Sequence, residues 1–400
     1  MHWGENMRKI LFLNPYLPTL GGGEKYMGYL CQYLERYPDV KIDILVFNYN
    51  EVNVFSDSYV TIRDLNSQYG LNLVKTNIRK EDFANFSEKK KRNRILAIEK
   101  EYDLFINFMI FSRNPGLAKK NIYLCMFPPK TFTHDLNGAG LTKRLKAKVK
   151  NVIFKKSYND FVIISKYSKN WFDRYWGKGL PTSILYSPIF EEKTIEGRYE
   201  EREKRNIILS VGRFFISGHN KKQLEMVKMF VENEGKLNEY EYHLVGAVSN
   251  YPEDISYLNE IKEIAAKSNR VYIHENCSFS ELMYLYRKAK VFWHATGLNE
   301  DEEYAPEKME HFGITTVEAM SYGAVPVVIN KGGQKETVDN GKSGYLWDSE
   351  EECIAYTQKV ICDNELRKRM AERSVIKAKK FSVEAFNAKC KRILEKVEWT

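Results

Sequence analysis

The sequence predicts an α/β protein of two parallel-sheet domains, and three observations carry that prediction. Its 400 residues are enough for two separate cores. Short apolar runs alternate with helical patterns along both halves, the arrangement that gives a parallel sheet covered by helices on both faces. The alternation is interrupted over residues 189–205, a charged, helix-poor stretch that reads as the boundary. Residues 1–188 then form the first domain and 189–380 the second, with a terminal helix from about 381 to 400.

Composition narrows the class. With 43% hydrophobic and 14% aromatic residues the chain is globular. No apolar run approaches the ~20 residues of a membrane span, and the stretch Met1 to Lys9 lacks the features of a secretory signal. The protein is therefore expected in the cytoplasm, with Met7 an alternative start. Six cysteines without a CxxC pair are expected as buried apolar side chains in a reducing compartment. Seven histidines show no HxxxH or Cys-His grouping, so neither a metal nor a cofactor is expected. The formal charge of +9 is uneven: residues 1–190 hold 30 Lys and Arg against 17 Asp and Glu, a net of +13, and the remainder carries −4. A basic first half suits an anionic surface, either a membrane or an acidic glycan carrier.

In chain order, Lys9 to Asn14 is a buried strand, and Gly21-Gly22-Gly23-Glu24 opens a helix that runs through Leu34. Strand, glycine loop and helix make a Rossmann-like βα unit. A dinucleotide fingerprint from Gly21 would need glycine at Tyr26, and a P-loop from Gly23 would need Lys-Ser at Tyr29-Leu30. Further strands are expected near Ile42–Phe47, Asp103–Phe108, Asn121–Met126 and Asp160–Ser165. Lys89 to Arg94 reads as an exposed basic cluster. Leu141 to Lys156 reads as a basic amphipathic helix, with Leu141, Leu145, Val149, Val152 and Ile153 at helical spacing among seven cations and no acid. Its apolar stripe is expected to dock on the core, with interfacial binding to an anionic membrane as the alternative. Nucleic acid is the weaker partner, since no aromatic stacking platform is interleaved with these cations.

The second half opens with Asn206 to Phe214, a strand ending in Gly212-Arg213, then Lys221-Lys222 before a helix to Phe230. Strands at Tyr242–Gly246, Val271–His274 and Val291–His294 lead to an acidic insertion, Asn299 to Glu303, expected as a mobile rim. Then comes Glu310-His311-Phe312-Gly313-Ile314-Thr315-Thr316-Val317-Glu318-Ala319-Met320, followed by a glycine stop at Gly323 and the buried strand Val325–Ile329. On one helix the two glutamates would lie about 80° apart in angle and about 12 Å apart along the axis. The helix must therefore start between them, with Gly313 allowing close backbone approach and Thr315 or Thr316 as cap. Amides from Ile314 to Val317 at such an end attract a phosphate, and Glu318, placed in the first turn, suits the paired hydroxyls of a ribose. Gly332-Gly333-Gln334 offers a second glycine-opened helix, and Gly344 to Trp347 a last short strand.

The Glu310-x7-Glu318 string, with Gly323 and Pro326 behind it, resembles the retaining glycosyltransferases of family 4, also called group 1. The resemblance implies the GT-B fold, two Rossmann-like domains with parallel sheets facing an interdomain cleft, the acceptor on the first and the nucleotide sugar on the second. It implies that residues from about 381 cross back to the first domain. By matching position, Glu310 lies at the donor sugar as a catalytic residue and Glu318 holds the ribose. Arg213 and Lys221 stabilise the leaving diphosphate, with Lys222 beside them and the Gly313, Ile314 and Thr315 backbone at the phosphates. Gly22 and Gly23 match the glycine loop that approaches donor phosphates and acceptor. Where many members carry a histidine before a proline, this sequence has Met126 or Phe127, and His134 reads as a surface residue. The implied partners are a nucleotide-sugar donor and a glycan or lipid-linked acceptor, and the implied setting is cytoplasmic or peripheral on the inner membrane face. A sugar-nucleotide hydrolase or epimerase of the same fold and a noncatalytic basic binding protein are the alternatives.

Overall fold

A computed structural model describes residues 7–48, 53–134, 136, 139–189, 201–216 and 219–399. The chain divides into two compact units, Met1–Pro188 with Phe386–Thr400, and Ile189–Ala385. Most of the expected linker, residues 190–200, lies outside the described residues.

The first unit is a parallel seven-stranded sheet. Its elements run β1 (Arg8–Leu13), α1 (Gly22–Leu34), β2 (Val40–Phe47), α2 (Ile62–Tyr69), β3 (Thr76–Glu81), α3 (Glu88–Glu99), β4 (Leu104–Asn107), β5 (Lys120–Cys125), α4 (Leu141–Ser157), β6 (Asp160–Ile163), α5 (Lys166–Trp176) and β7 (Thr182–Ile184). The strand order is β3-β2-β1-β4-β5-β6-β7. β1, β2 and β4 to β6 are apolar because helices cover both faces. β3 escapes the sequence reading because it is an edge strand reading Thr-Asn-Ile-Arg-Lys-Glu, and Arg79 on it pairs with Glu81 and Glu101.

The second unit is a parallel six-stranded sheet in the order β10-β9-β8-β11-β12-β13. It comprises β8 (Arg205–Val211), α6 (Gln223–Glu232), β9 (Glu241–Gly246), α7 (Pro252–Ala265), β10 (Val271–Glu275), α8 (Phe279–Lys288), β11 (Ala289–His294), α9 (Ile314–Ser321), β12 (Val325–Ile329), α10 (Gln334–Thr337), β13 (Tyr345–Trp347), α11 (Glu350–Cys362) and α12 (Asn364–Ala378). Trp293, Trp347, Phe230 and Tyr242 fill its core. The strand order reverses between β8 and β11, and in an open α/β sheet ligands bind in the crevice beyond such a reversal.

The last helix, α13 (Val383–Lys396), straddles the division of the chain. From Phe386 on it belongs to the first unit, where Phe386 meets the Tyr26 ring at 5.8 Å. Lys396 Nζ lies 2.7 Å from Asp160 Oδ1, and Arg8 stacks over Trp399.

Two expectations are corrected. The apolar stripe of α4 does not dock on the core: Leu141, Leu145, Val149, Val152 and Ile153 are all at least 50% exposed, while Ala147 and Phe154 face inward. Phe154 packs on Trp176, and this one large side chain anchors the helix. The acidic insertion is no free rim either. Glu300 pairs with Lys222 and Lys308, Glu302 with Lys335, and Lys331 donates to the carbonyls of Gly297 and Glu300. Of the cysteines, Cys31, Cys125, Cys353 and Cys390 are buried as expected, whereas Cys362 is exposed.

Candidate functional site

The site candidates of the second unit come from the C-terminal ends of β8 and β11. Gly212 follows β8, and a Cβ there would lie 2.8 Å from Lys221 Cγ, so glycine lets the Lys221 stem run past the strand end. Gln223 donates to the Gly212 and Arg213 carbonyls at 3.0 and 2.8 Å, which pins this turn to the start of α6. Lys222 stands in the left-handed region at φ 59°, and there the two neighbouring lysines part.

Lys221 reaches Glu310, its Nζ 2.6 Å from Oε2. The same oxygen lies 3.1 Å from His294 Nε2 at the end of β11. The Thr296 amide donates to His294 Nδ1, which fixes the tautomer that carries its proton on Nε2, toward Glu310. Glu310 Oε1 accepts from the Gly313 amide at 3.2 Å. Burial opposes the Glu310 charge, but the Lys221 ammonium and the His294 N–H outweigh it and hold this carboxyl well below the usual range. His219 donates to the Met309 carbonyl and stacks on His311, whose Nε2 lies 3.0 Å from the Glu307 carbonyl. Burial lowers the pKa of all three histidines, that of His311 to about 4.

Helix α9 opens at Gly313, which has φ 90°, and no side chain caps it. The expected cap by Thr315 or Thr316 is therefore corrected, and the amides of Ile314 and Thr315 stay uncapped by side chains. A Cβ at Gly313 would also meet the Gln334 amide at about 2.9 Å. Thr316 Oγ1 and Gln334 Nε2 are buried without a hydrogen-bond partner, two polar atoms a bound ligand could satisfy. Because the helix starts at Ile314, Glu318 lies in its second turn rather than the first. Its carboxylate is buried and accepts from the Tyr286 hydroxyl on α8 at 2.9 Å. The expected second glycine-opened helix is present but short: Gly333 is the N-cap of α10, which has 4 residues. Gly332 and Gly333 press on the chain that carries Glu310, where a Cβ would lie 2.3 Å from the Glu310 carbonyl oxygen or 2.6 Å from that of His311.

The structure thus brings together Lys221, Glu310 and Gly313, with Ile314, Thr315 and Glu318 on the helix that follows. It does not bring Lys222 to them. Lys222 pairs with Glu300 and lines a separate cavity of about 460 Å³ with Glu225, Tyr257 and Lys308. Arg213 follows β8, and its guanidinium lies over the Phe215 ring, 4.7 Å from the centroid. Gly22 and Gly23 belong to the other unit, in the first turn of α1, where Glu24 folds back to cap the Gly21 amide. His134 is exposed. Among the described residues no group of three or more His, Cys, Asp or Glu is placed to hold a metal ion.

Sequence reasoning missed His294, His219 and Tyr286. Their signal was faint: His294 is a polar residue closing a buried strand, and His219 stands in a loop before a lysine. Only the fold sets both beside Lys221 and Glu310.

The family model for glycosyl transferases group 1 matches residues 191–376. The chain is 25% identical over 322 residues to the GDP-Man:Man(3)GlcNAc(2)-PP-Dol alpha-1,2-mannosyltransferase of Homo sapiens, covering 76% of this chain and 58% of that one. It is 27% identical over 304 residues to the alpha-1,3/1,6-mannosyltransferase ALG2 of Rhizomucor pusillus, 64% of this chain and 62% of that one. The chain thus spans less than two thirds of the length of these curated relatives. Among solved structures it resembles Anabaena Alr3699/HepE in complex with UDP and glucose, with a TM-score of 0.68 at 15% identity over 97% of this chain and 99% of that one. A glycosyltransferase from Rickettsia africae superposes with a TM-score of 0.67 at 17% identity over 98% of this chain and 99% of that one.

Proposed function

We propose that this chain, which belongs to the glycosyl transferases group 1 and has the GT-B fold, moves a sugar from a nucleotide-sugar donor to a hydroxyl acceptor with retention of anomeric configuration. The observation that carries this reading is the convergence of Lys221, His294 and the Gly313 amide on Glu310, at the β8–β11 reversal. A nucleoside diphosphate leaves with several negative charges, and fixed cations and helix amides stabilise it as the glycosidic bond breaks. Lys221, Arg213 and the opening of α9 supply them. Glu310, ionised and fixed by three donors, faces the sugar hydroxyls and the positive charge that develops at the anomeric carbon. Glu318, buried and oriented by Tyr286, holds the ribose. Arg213 and Lys221 serve both binding and catalysis, whereas Lys222 steadies the acidic insertion.

The acceptor is a glycan or lipid-linked hydroxyl compound, held by the first unit near Gly22 and Gly23, and the setting is the cytoplasmic side of a membrane. The names of the two curated relatives, both mannosyltransferases and one acting on a PP-Dol carrier, support a carrier-linked glycan. No helix among the described residues is long and apolar enough to cross a membrane, so attachment would be peripheral.

Thermal-shift screening against GDP, UDP, ADP and dTDP sugars tests the donor, because a ligand at 100 times its dissociation constant adds about 2.7 kcal/mol of stability. A stabilising donor that is consumed only when an acceptor is added supports transfer. Release of sugar without any acceptor would make the protein a hydrolase instead.

A further inference from the structure

The outward face of α4 fits a partner that the transfer reaction alone does not require. At about 100° per residue, Leu141, Val152, Leu145, Val149 and Ile153 fall within an arc of about 120°. The buried pair, Ala147 and Phe154, lies on the opposite side of the helix. The stripe is therefore directed at solvent, and its members are 50% to 83% exposed. Arg144, Lys148 and Lys155 border it on one side and Lys146 and Lys150 on the other, with Lys156 within it and Lys143 farther round. None of these seven cations forms an ion pair among the described residues, and Leu141–Ser157 contains no acid. The adjoining loop after β4 adds exposed Ile110 and Phe111, and it is tied to α4 where Arg113 and Lys150 both stack on Phe132.

We propose that this face of α4 docks on an anionic lipid bilayer, with the aliphatic stripe in the headgroup and acyl boundary and the flanking lysines on lipid phosphates. An apolar band rimmed by cations is the pattern that inserts at such an interface. A second copy of the chain is a poor occupant, because it would oppose two helices that each carry seven like charges. Docking stands on this helix alone. It deepens the proposed function, and rests on it, only in that a membrane-held protein would meet a lipid-linked acceptor in the plane of its bilayer.

The test is sedimentation of the full chain with vesicles of phosphatidylglycerol and phosphatidylcholine in equal parts, compared with phosphatidylcholine alone, with no donor present. Partition should favour the anionic vesicles by at least about tenfold and fall steeply with added salt. Leu145→Glu with Val149→Glu and Val152→Glu should lower it about tenfold or more, and Val149→Trp alone should raise it. All three positions are exposed, so donor-induced thermal shifts should be unchanged in both variants. The inference is overturned if the protein stays in the supernatant with anionic vesicles or if the triple variant partitions like the parent. It is also overturned if the stripe joins two copies, seen as a dimer that the triple variant splits. Loss of vesicle binding with donor binding intact would leave the transferase reading standing, and the reverse result would leave the docking standing.

Discussion

Lys221 and Glu310 are 89 positions apart in the chain, yet the ammonium of one lies 2.6 Å from the carboxylate of the other. Their side chains are 17% and 12% exposed, so each neutralises a charge that would otherwise be poorly hydrated. Lys221→Met or Glu310→Gln alone should cost roughly 2–4 kcal/mol in urea unfolding, and the double variant less than the sum of the two. Strict additivity would show that the two groups do not interact.

Glu310→Ala should abolish turnover, by at least about a hundredfold in kcat, with nucleotide binding retained. Calorimetry with the nucleoside diphosphate, run beside a turnover assay, separates the two effects. A variant that turns over normally would remove Glu310 from the proposed mechanism.

Glu318→Ala should weaken both nucleotide binding and turnover. Tyr286→Phe removes one hydrogen bond to a buried carboxylate, so a milder change of about tenfold, mostly in KM, is expected. Equal kinetics for Tyr286→Phe and the parent would mean that Glu318 is oriented by other contacts.

The histidine contribution to stability should fall on mild acidification. Burial lowers the His311 pKa from 6.5 to about 4, so between these values the unfolded chain binds a proton that the native state excludes. The His311 contribution is fully present above 6.5 and is lost as the pH falls toward 4, by at most about 2 kcal/mol at about pH 5. His219 and His294 are shifted in the same direction. Glu310 adds a loss only below its ordinary 4.5, whereas Glu99, whose carboxyl burial pushes up to about 8, adds stability as the pH falls over the same interval. The His311 share is therefore read from urea midpoints of the parent and His311→Gln side by side: the variant should gain on the parent by up to about 2 kcal/mol between neutral pH and pH 5, and a constant gap would remove His311 as an acid-sensitive group.

Gly333→Ala should destabilise the second unit by about 1–3 kcal/mol, because its Cβ would meet the His311 carbonyl oxygen at 2.6 Å. The strain falls on the segment that carries Glu310, so turnover should drop with it. An alanine variant with the parent's melting temperature and kcat would show that the segment can yield.

Much of the fold was legible because a parallel sheet covered on both faces demands continuous apolar strands. Lys9 to Asn14, Ile42 to Phe47 and Val325 to Ile329 announce themselves that way. β3 did not, since an edge strand may be polar, and α4 misled because amphipathic spacing marks an apolar face without saying which way it turns.

By itself the sequence determined the two alternating α/β halves, the glycine-opened helix between Glu310 and Glu318, and the resemblance that those spacings carry, all features of neighbouring residues. The tertiary structure alone decided that Lys221 and not Lys222 meets Glu310, that His294 donates to it, and that Glu318 rests under Tyr286. Those contacts join the loops that follow β8 and β11, and helix α8 to helix α9, where the order in which strands pair, which no local pattern encodes, sets which side chains come within a few ångströms of one another.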